Sequence, residues 1–501
     1  RYTDVIYPDG YRYLQEYQAD PLPGMLFVIH SVFLRKTVFM PRGLSLTIIK
    51  YELLTAPESV KLEIRPLAAH RGADGLFPEK DGSDFESFFT ENSVTISGRG
   101  HQSHFSFNKG EWYPKPLWFE KLLYEHDDCE KPGTDSLWSP GFLSIDMNEG
   151  QTVYVLLGAE NVHYDHDSVA AMEKETRLLF QQNLTGSPLV KKTPMVKELL
   201  HSASHCLSQF DGKRPAIFSG YPSVRETARE TFISLPGLLL VTGKTDFAEG
   251  VLKVWLERAI MNDHVMPSEV NPHTGSLVTR ACDAGLWFFY ALDKLCDQTG
   301  RTDLVRENWD HLTGILDRYS DGIPAIGIKL DKDGLLVLQS DDPGSNWMDG
   351  DIDGKPIVER KGKLVEVNAL WYNALRAMEQ YSEILGRDRE CKEYGSLAER
   401  SRKSFQDLFW CDKGYLFDWV DDKRRDESVR CNQILAVSLP ASVMDPERGR
   451  SIVETCWNEL YTTFGLRTLD PHHDKYKGRC EGRIDQREKA RFMGMAWPWL
   501  L

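Results

Sequence analysis

The sequence predicts an N-terminal antiparallel β-sandwich, a linking helix and a C-terminal α/α toroid. Two observations lead to this fold class. Residues 1–165 contain short runs of β-branched and aromatic residues with period-two alternation, whereas from residue 193 onward apolar residues recur at helical spacing. Long polar loops separate the helical stretches, which favours a toroid of helix pairs over a bundle.

The predicted strands fill the first third of the chain. They occupy residues 25–40, 44–54, 60–67, 93–107 and 142–157. Turn-forming segments such as Pro41-Arg42-Gly43 and Asn108-Lys109-Gly110 separate them. Strands at this spacing, with few helical patterns between them, indicate an antiparallel sandwich.

A linking segment, residues 166–192, joins the two predicted domains. Residues 166–184 form a polar amphipathic helical pattern, which the sequence Thr-Gly-Ser-Pro then breaks. The helical domain follows as residues 193–501, with helices predicted at 194–210, 230–242, 246–261, 283–299, 302–319, 366–385, 388–409 and 447–460.

The ends of the predicted helices carry further signals. Gly243, Gly300 and Gly386 follow three of the helices, as expected for C-terminal caps. The chain itself ends within what reads as a helical pattern, at Trp497-Pro498-Trp499-Leu500-Leu501. We therefore expect the last helices of the toroid to be missing.

Composition and charge narrow the function. The 501 residues carry a net charge of −15, which argues against nucleic acid or an anionic membrane surface as a partner. The sequence contains no run of about 18 apolar residues, which a membrane-spanning helix would need. The nine cysteines lack metal-site spacing, so we expect reduced thiols, a cytoplasmic location and no bound metal.

The segment beginning at Asn346 is the most informative. Asp349 follows Trp347 in a loop rich in glycine and aspartate. A carboxyl group beside indole rings can combine a raised pKa with room for a sugar ring. The alternative is a solvated acidic loop followed by an ordinary amphipathic helix.

Five loops concentrate carboxylates, arginine and aromatic residues just before apolar helices, at residues 219–243, 277–289, 345–375, 426–440 and 465–499. In a toroid, loops at one end of successive helices line a single cavity. Two carboxylates across such a cavity can hydrolyse a glycosidic bond, one as acid and one as base.

Over its full length the chain resembles the bacterial and archaeal glycogen debranching enzymes, the amylo-α-1,6-glucosidases of glycoside hydrolase family 133. The resemblance rests on YPDGYRYL (7–14), SPGF (139–142), ETFISLPGLLLVTG (230–243), DAGLWFF (283–289), NWMDG (346–350), VEVNALWYNAL (365–375), NQILAVSLP (432–440), GLRTLDP (465–471) and WPWLL (497–501). It implies an N-terminal β-sandwich and a C-terminal (α/α)6 toroid. It also implies release of glucose from the α-1,6-linked branch stubs of glycogen or a similar α-glucan, with inversion and without metal or other cofactor.

The resemblance also implies residue roles. Asp349 matches the family's general acid. Glu488 is the favoured general base and Glu481 the second candidate. Sugar-binding positions fall on Arg229, Glu230, Asp283, Trp287, Trp347, Glu366, Asn368 and Trp371.

Structural alternatives remain open for these residues. Asp349, Glu366 and Asn368 could cap helices or bond to backbone. Asp283 could be an N-cap with Trp287 in the core. A surface salt bridge could account for the charged pair at residues 229–230, and Asn432 and Gln433 could line a rim or cap a helix.

Two blocks depart from the family pattern. The family's Asp-Trp-Gly-Arg-Asp is replaced by Glu-Thr-Ala-Arg-Glu at residues 226–230. Its Tyr-His-Gln-Gly-Thr is replaced by Arg-Phe-Met-Gly-Met at residues 491–495. Two further hypotheses follow: an α-glucosidase acting on another linkage, and a catalytically impaired glucan-binding protein.

Overall fold

The computed structural model describes residues 2, 5–19, 21–72, 76, 85–123, 134–162, 164–185, 193–210, 214–219, 225–271 and 274–498. Predictions for residues 186–192 of the linking segment and for residues 499–501 lie outside these ranges. The chain divides into two compact units, Arg1–His201 and Ser202–Leu501, and each is described by itself.

The first unit is built from antiparallel strands: β1 Leu14–Gln18, β2 Gly24–Ile29, β3 Val32–Phe39, β4 Leu46–Thr55, β5 Val60–Ile64, β6 Glu86–Thr90, β7 Ser93–Gly98, β8 His101–Phe107, β9 Glu111–Tyr113, β10 Leu117–Leu123, β11 Thr134–Ser139, β12 Phe142–Met147 and β13 Thr152–Gly158. One sheet has the order β1-β2-β3-β4-β13-β8-β7-β6, and smaller sheets have the orders β5-β12-β9 and β10-β11. The predicted antiparallel β domain is confirmed.

Strand β4 shows how this unit is layered. Because side chains alternate across a strand, Leu46 and Ile48 point to one face while Tyr51 and Leu53 point to the other. The first pair packs with Val169 in one apolar cluster, and the second pair joins the larger core of the unit. The eight-stranded sheet therefore has apolar packing on both of its faces.

The helices are α1 His166–Thr185, α2 Pro194–His205, α3 Ala228–Leu235, α4 Thr245–Met261, α5 Ala284–Thr299, α6 Asp303–Glu307, α7 Trp309–Asp321, α8 Val365–Ile384, α9 Asp388–Phe409, α10 Leu435–Ser438, α11 Pro446–Thr455 and α12 Ile484–Phe492. π-Helical turns follow α3, at Pro236–Leu240, and α11, at Cys456–Leu460. The predicted helix 194–210 is too long, because its end pairs as a strand, and the predicted helix 302–319 is broken at Asn308.

Short strands connect the helices of the second unit. They are β14 Leu207–Phe210, β15 Arg214–Ile217, β16 Glu226–Thr227, β17 Glu269–Val270, β18 Leu277–Val278, β19 Ile328–Leu330, β20 Leu336–Leu338, β21 Asp351–Ile352, β22 Lys355–Pro356, β23 Lys363–Leu364, β24 Trp410–Cys411, β25 Tyr415–Leu416, β26 Trp419–Val420, β27 Tyr461–Thr462, β28 Gly465–Arg467 and β29 Ala496–Trp497.

Helices of the second unit alternate between an inner and an outer layer. Helix α5 contacts both α3 and α8, and α8 contacts α10, so these four form the inner layer. Inner α8 is buried on nearly every side, whereas its outer partner α9 buries only a narrow stripe containing Phe405 and Phe409. An all-round apolar helix belongs inside and an amphipathic one outside, which agrees with the predicted toroid.

The prediction of a helix at the end of the chain is wrong for the described residues. Helix α12 ends at Phe492, and β29 then pairs with β28, Trp497 facing Leu466. Between them, Gly494 has φ 146°, in the region that favours glycine. The backbone turns there, so the helix cannot continue.

Candidate active site

The polar loops predicted to line one cavity do lie before inner helices. Residues 229–230 are in the first turn of α3, and Asp283 immediately precedes α5. The loop 346–349 comes before α8, and Asn432 comes just before α10. Since these inner helices are neighbours, the structure brings together polar groups that are far apart in sequence.

Asp349 combines solvent access with a protein surrounding. Its side chain is exposed, and it has no ion-pair partner among the described residues. Desolvation by the surrounding protein nevertheless raises the pKa of Asp349, against the opposing charges of Arg229 and Arg280, while Glu230 adds to the rise. An accessible carboxyl group with a raised pKa can donate a proton to a ligand.

Arg229 is held by Asp283. Its Nε and Nη2 each donate to a carboxylate oxygen of Asp283 at 2.8 Å, and Asp283 also accepts from Trp287 Nε1 at 3.2 Å. The carboxylate forms no helix-capping bond although it occupies the N-cap position of α5. The side chains of Asp283 and Trp287 are 2% and 4% exposed, so both are placed to orient Arg229 rather than to face a cavity.

Arg280 is a charged group near Asp349 that sequence reasoning missed. It binds Asp342 through two hydrogen bonds of 2.6 and 3.1 Å, and its guanidinium lies where a Cβ at Gly344 would stand. Glycine at 344 therefore makes room for this pair. The only signal in the sequence was an arginine three residues before Asp283, too weak to single it out.

Aromatic rings pack behind the acidic loop. The ring of Trp347 lies 6.2 Å from that of Phe492 and 6.0 Å from that of Trp497, both edge-on. A Cβ at Gly350 would clash with the Phe492 ring. The C-terminal end of α12 is thus in direct contact with the residues flanking Asp349.

The two candidate bases lie in different settings, Glu488 on α12 and Glu481 in the loop before it. It lies one turn before Phe492 on α12, and residues four apart on a helix share a face. Its carboxylate is partly exposed and pairs with Arg491 at 3.0 Å. Glu481 is an exposed residue in the loop before α12. Phe492, one turn further along α12, is the residue that contacts the acidic loop.

Three predicted sugar-binding residues of α8 lie in the core. Glu366 pairs with Arg360 through two hydrogen bonds of 2.6 Å. Asn368 bonds to the backbone of Leu336 and Leu364, and Trp371 Nε1 donates to the Gly334 carbonyl. With all three at most 2% exposed, their polar atoms are committed to protein partners and do not face a cavity.

Behind the acidic loop lies a buried polar network that the sequence did not reveal. Arg360 and Asp418 pair at 2.8 Å, and Asn432 Nδ2 donates to Asp418 at 2.7 Å. Asn432 Oδ1 in turn accepts from Trp347 Nε1 at 2.8 Å. Asn432 and Gln433 are 0% and 1% exposed, so neither lines a rim.

The block at residues 226–230 is accommodated locally. Glu226 is 5% exposed and binds Arg258 through hydrogen bonds of 2.6 and 2.9 Å. Ala228 is fully buried. Arg229 keeps its bidentate partner despite the altered neighbours.

One group of side chains has the composition of a possible metal site. Among the described residues, Glu459, Asp470 and His472 bring potential metal ligands within 4.8 Å of one another, but hydrogen bonding between Asp470 and His472 accounts for part of this cluster.

In the part of the chain that the structure describes, no helix is both long and apolar enough to cross a membrane.

Comparison with solved structures supports the fold. A bacterial glucoamylase in complex with acarbose has a similar structure. The match covers 96% of this chain and 74% of the glucoamylase chain, with a TM-score of 0.60 and 13% sequence identity. At that identity the likeness shows the fold alone. It confirms the predicted (α/α)6 toroid.

Family comparison gives the specific assignment. Residues 196–501 match the family described as amylo-alpha-1,6-glucosidase, and residues 1–154 match the one described as glycogen debranching enzyme N terminal. No curated protein sequence matches the chain. The chain belongs to the amylo-alpha-1,6-glucosidase family, and its reaction is the hydrolysis of a glucan.

Proposed function

We propose that this protein releases glucose from α-1,6-linked branch stubs of glycogen or a similar α-glucan, with inversion of configuration. The observation that carries the proposal is Asp349, an accessible carboxyl group with a raised pKa beside the charge of Arg229. Family membership supports the α-1,6 linkage, and the environment of Asp349 supports acid catalysis.

Asp349 acts as the general acid. Because desolvation raises its pKa, a larger fraction of the group stays protonated as the pH approaches neutrality. It donates this proton to the glycosidic oxygen as the bond to the departing chain breaks. Trp347, packed between Phe492 and Trp497, limits the movement of the acid's backbone.

Glu488 acts as the general base. A partly exposed carboxylate can activate a water on the opposite face of the sugar, and inversion needs the acid and base about 6.5–9.5 Å apart. The contact between Phe492 and Gly350 supports this pairing, since Glu488 is one turn away on the same helix face. Glu481 remains the second candidate.

Arg229 and Glu230 bind the hydroxyl groups of the terminal glucose. Asp283 uses Nε and Nη2 of Arg229, while Nη1 has no hydrogen bond within the described part of the chain. That group can donate to a sugar hydroxyl, and the exposed carboxylate of Glu230 can accept from one.

The test compares the wild type with Asp349→Asn on glycogen trimmed to its branch stubs. Glucose release should fall about 10²–10⁴-fold, the usual contribution of a general acid. The melting temperature should not fall. Burial raises the pKa of Asp349, so this carboxyl contributes stability only at low pH, and that contribution is lost as the pH rises through the folded-state pKa. Equal glucose release by the two proteins would end the acid assignment.

A related α-glucosidase of other linkage preference is the second candidate, favoured by the likeness to a glucoamylase. Comparing isomaltose-type with maltose-type oligosaccharides separates the two. The third hypothesis, an impaired glucan-binding protein, rests on the altered blocks. It predicts co-sedimentation with glycogen without any glucose release.

A further inference from the structure

The polar network behind the acidic loop has two ends. At one end, Trp347 Nε1 donates to Asn432 Oδ1 at 2.8 Å, and Asn432 Nδ2 lies 3.5 Å from the sulfur of Met348. Asn346 Oδ1 accepts from Met348 N at 3.1 Å and from Arg360 at 3.3 Å. Every residue from 346 to 348 is therefore bonded to the network or to its neighbour in the loop.

The other end of the network reaches α12. Arg430 Nη1 donates to the carbonyl oxygen of Phe492 at 3.0 Å and to that of Thr468 at 3.1 Å. Phe492 is the last residue of α12, so its carbonyl has no partner within the helix. The buried arginine therefore caps the helix, and its positive charge interacts favourably with the negative C-terminal end of the helix dipole.

Asp418 joins the two ends. One of its oxygens accepts from Asn432 at 2.7 Å, and the other lies 3.8 Å from Arg430 Nε and 2.8 Å from Arg360 Nε. Asp418, Arg430 and Asn432 are all at most 4% exposed. A buried ion pair is weak evidence for stability by itself, and in some proteins such pairs serve to fix geometry.

We propose that Asp418, Arg430 and Asn432 form a buried bridge that sets the separation between the loop carrying the general acid and the helix carrying the general base. They are positioning residues, since they act on the acid through Trp347 and on the base through Phe492. This inference rests on the proposed function. The hydrogen bonds to Trp347 and to Phe492 are directional, while Asp418 and Arg430 are linked by an ion pair of 3.8 Å without a hydrogen bond. A displacement of about 1 Å at an active site can cost 10²-fold in rate.

The first experiment uses Asn432→Leu, which has a similar volume but lacks both hydrogen bonds. The matched control is Asn373→Leu, because Asn373 is also buried and, among the described residues, its side chain bonds only to the Ala441 carbonyl, at 3.3 Å. Both variants should lose stability. Only Asn432→Leu should lower kcat on the glucan, by about 10–100-fold, with KM close to the wild-type value.

Substrate choice separates positioning from a general loss of structure. α-Glucosyl fluoride has a leaving group that needs little protonation, so a misplaced general acid matters less with it. Asn432→Leu should therefore lose less activity on the fluoride than on the glucan. Equal losses on the two substrates, or losses matching those of Asn373→Leu, would overturn the bridge.

A second variant tests the other end. Arg430→Lys keeps the charge but cannot reproduce the spread of the guanidinium that contacts Phe492 and Thr468. Since both substrates need an activated water, it should lower kcat on both by a similar factor. A loss confined to the glucan would contradict the link to α12.

Asp349→Asn, measured in the same assays, distinguishes failure of the proposed function from failure of the bridge alone. Should that variant retain full activity on the glucan, the proposed function fails. Should it be inactive on the glucan while Asn432→Leu behaves like its control, only the bridge fails.

Discussion

Two clusters in the C-terminal unit use the same residue types in opposite settings. The accessible cluster consists of the exposed residues Glu230, Arg280 and Asp349, together with the partly buried Arg229. The enclosed cluster consists of Arg360, Glu366, Asp418 and Arg430. In the enclosed cluster both carboxylates are bonded to arginine, whereas Asp349 has no ion-pair partner among the described residues.

The comparison shows what fits a carboxyl group for catalysis. A carboxylate that is buried and paired with arginine is committed to structure, because breaking the pair leaves an uncompensated charge. A carboxyl group surrounded by protein but reachable by solvent can still exchange its proton. Asp349 has this second environment, and Glu366 has the first.

The largest expected effect concerns the general base. Glu488→Gln should lower glucose release by about 10²–10⁴-fold, because the neutral amide cannot accept a proton from water. Glu481→Gln, its matched control, should remain close to the wild type. Reversal of these two results would move the base to Glu481. Activity in both variants would show that the base lies elsewhere.

The next effect separates the clusters by stability. Arg360→Met should reduce the free energy of unfolding by about 3–5 kcal/mol, since it leaves Glu366 and Asp418 buried without their partner. The same change at Arg280, whose side chain is 54% exposed, should cost about 0–1 kcal/mol. Urea denaturation of both variants measures the difference. Similar losses would mean that the two clusters are not energetically distinct.

The smallest effect is a shift in the pH profile. Asp349 donates only when protonated, so activity should fall as the pH rises through its pKa. The charge of Arg280 lowers that pKa, and so Arg280→Gln should move the alkaline limb of kcat/KM to higher pH. Glu230 raises it, and so Glu230→Gln should move the limb to lower pH.

Salt provides the control for both shifts. Charges that act through solvent are screened, so the displacements should shrink at high ionic strength. Shifts of the same sign in the two variants would contradict the electrostatic explanation.

Much of the fold could be predicted because its signals are local. Apolar spacing identified α4, α5, α8 and α9 within a residue or two. Gly243, Gly300 and Gly386, expected as helix caps, all have positive φ, as glycine after a helix often does. The errors came where strand pairing overrode the helical pattern: Leu207–Phe210 pair with the nearby strand Arg214–Ile217, and Trp497 pairs with the more distant Leu466.

The site was only partly predictable. The fold brings Asp349, Arg229 and Asp283 near one another, while their roles at the site stay predictions. Glu366 and Asn368 had equally good sequence credentials, yet they lie in the core. Arg280 was missed because its partner Asp342 is 62 residues away.

By itself, the sequence determined which segments are strands or helices and which loops hold the polar residues, since periodicity and caps depend on near neighbours. Only the tertiary structure decided which of those polar residues meet solvent and which are sealed in pairs. Burial and ion pairing arise between groups far apart in the chain, as Arg360 and Asp418 are, separated by 58 residues. The linear pattern of residue types does not show which distant groups lie close together in the fold.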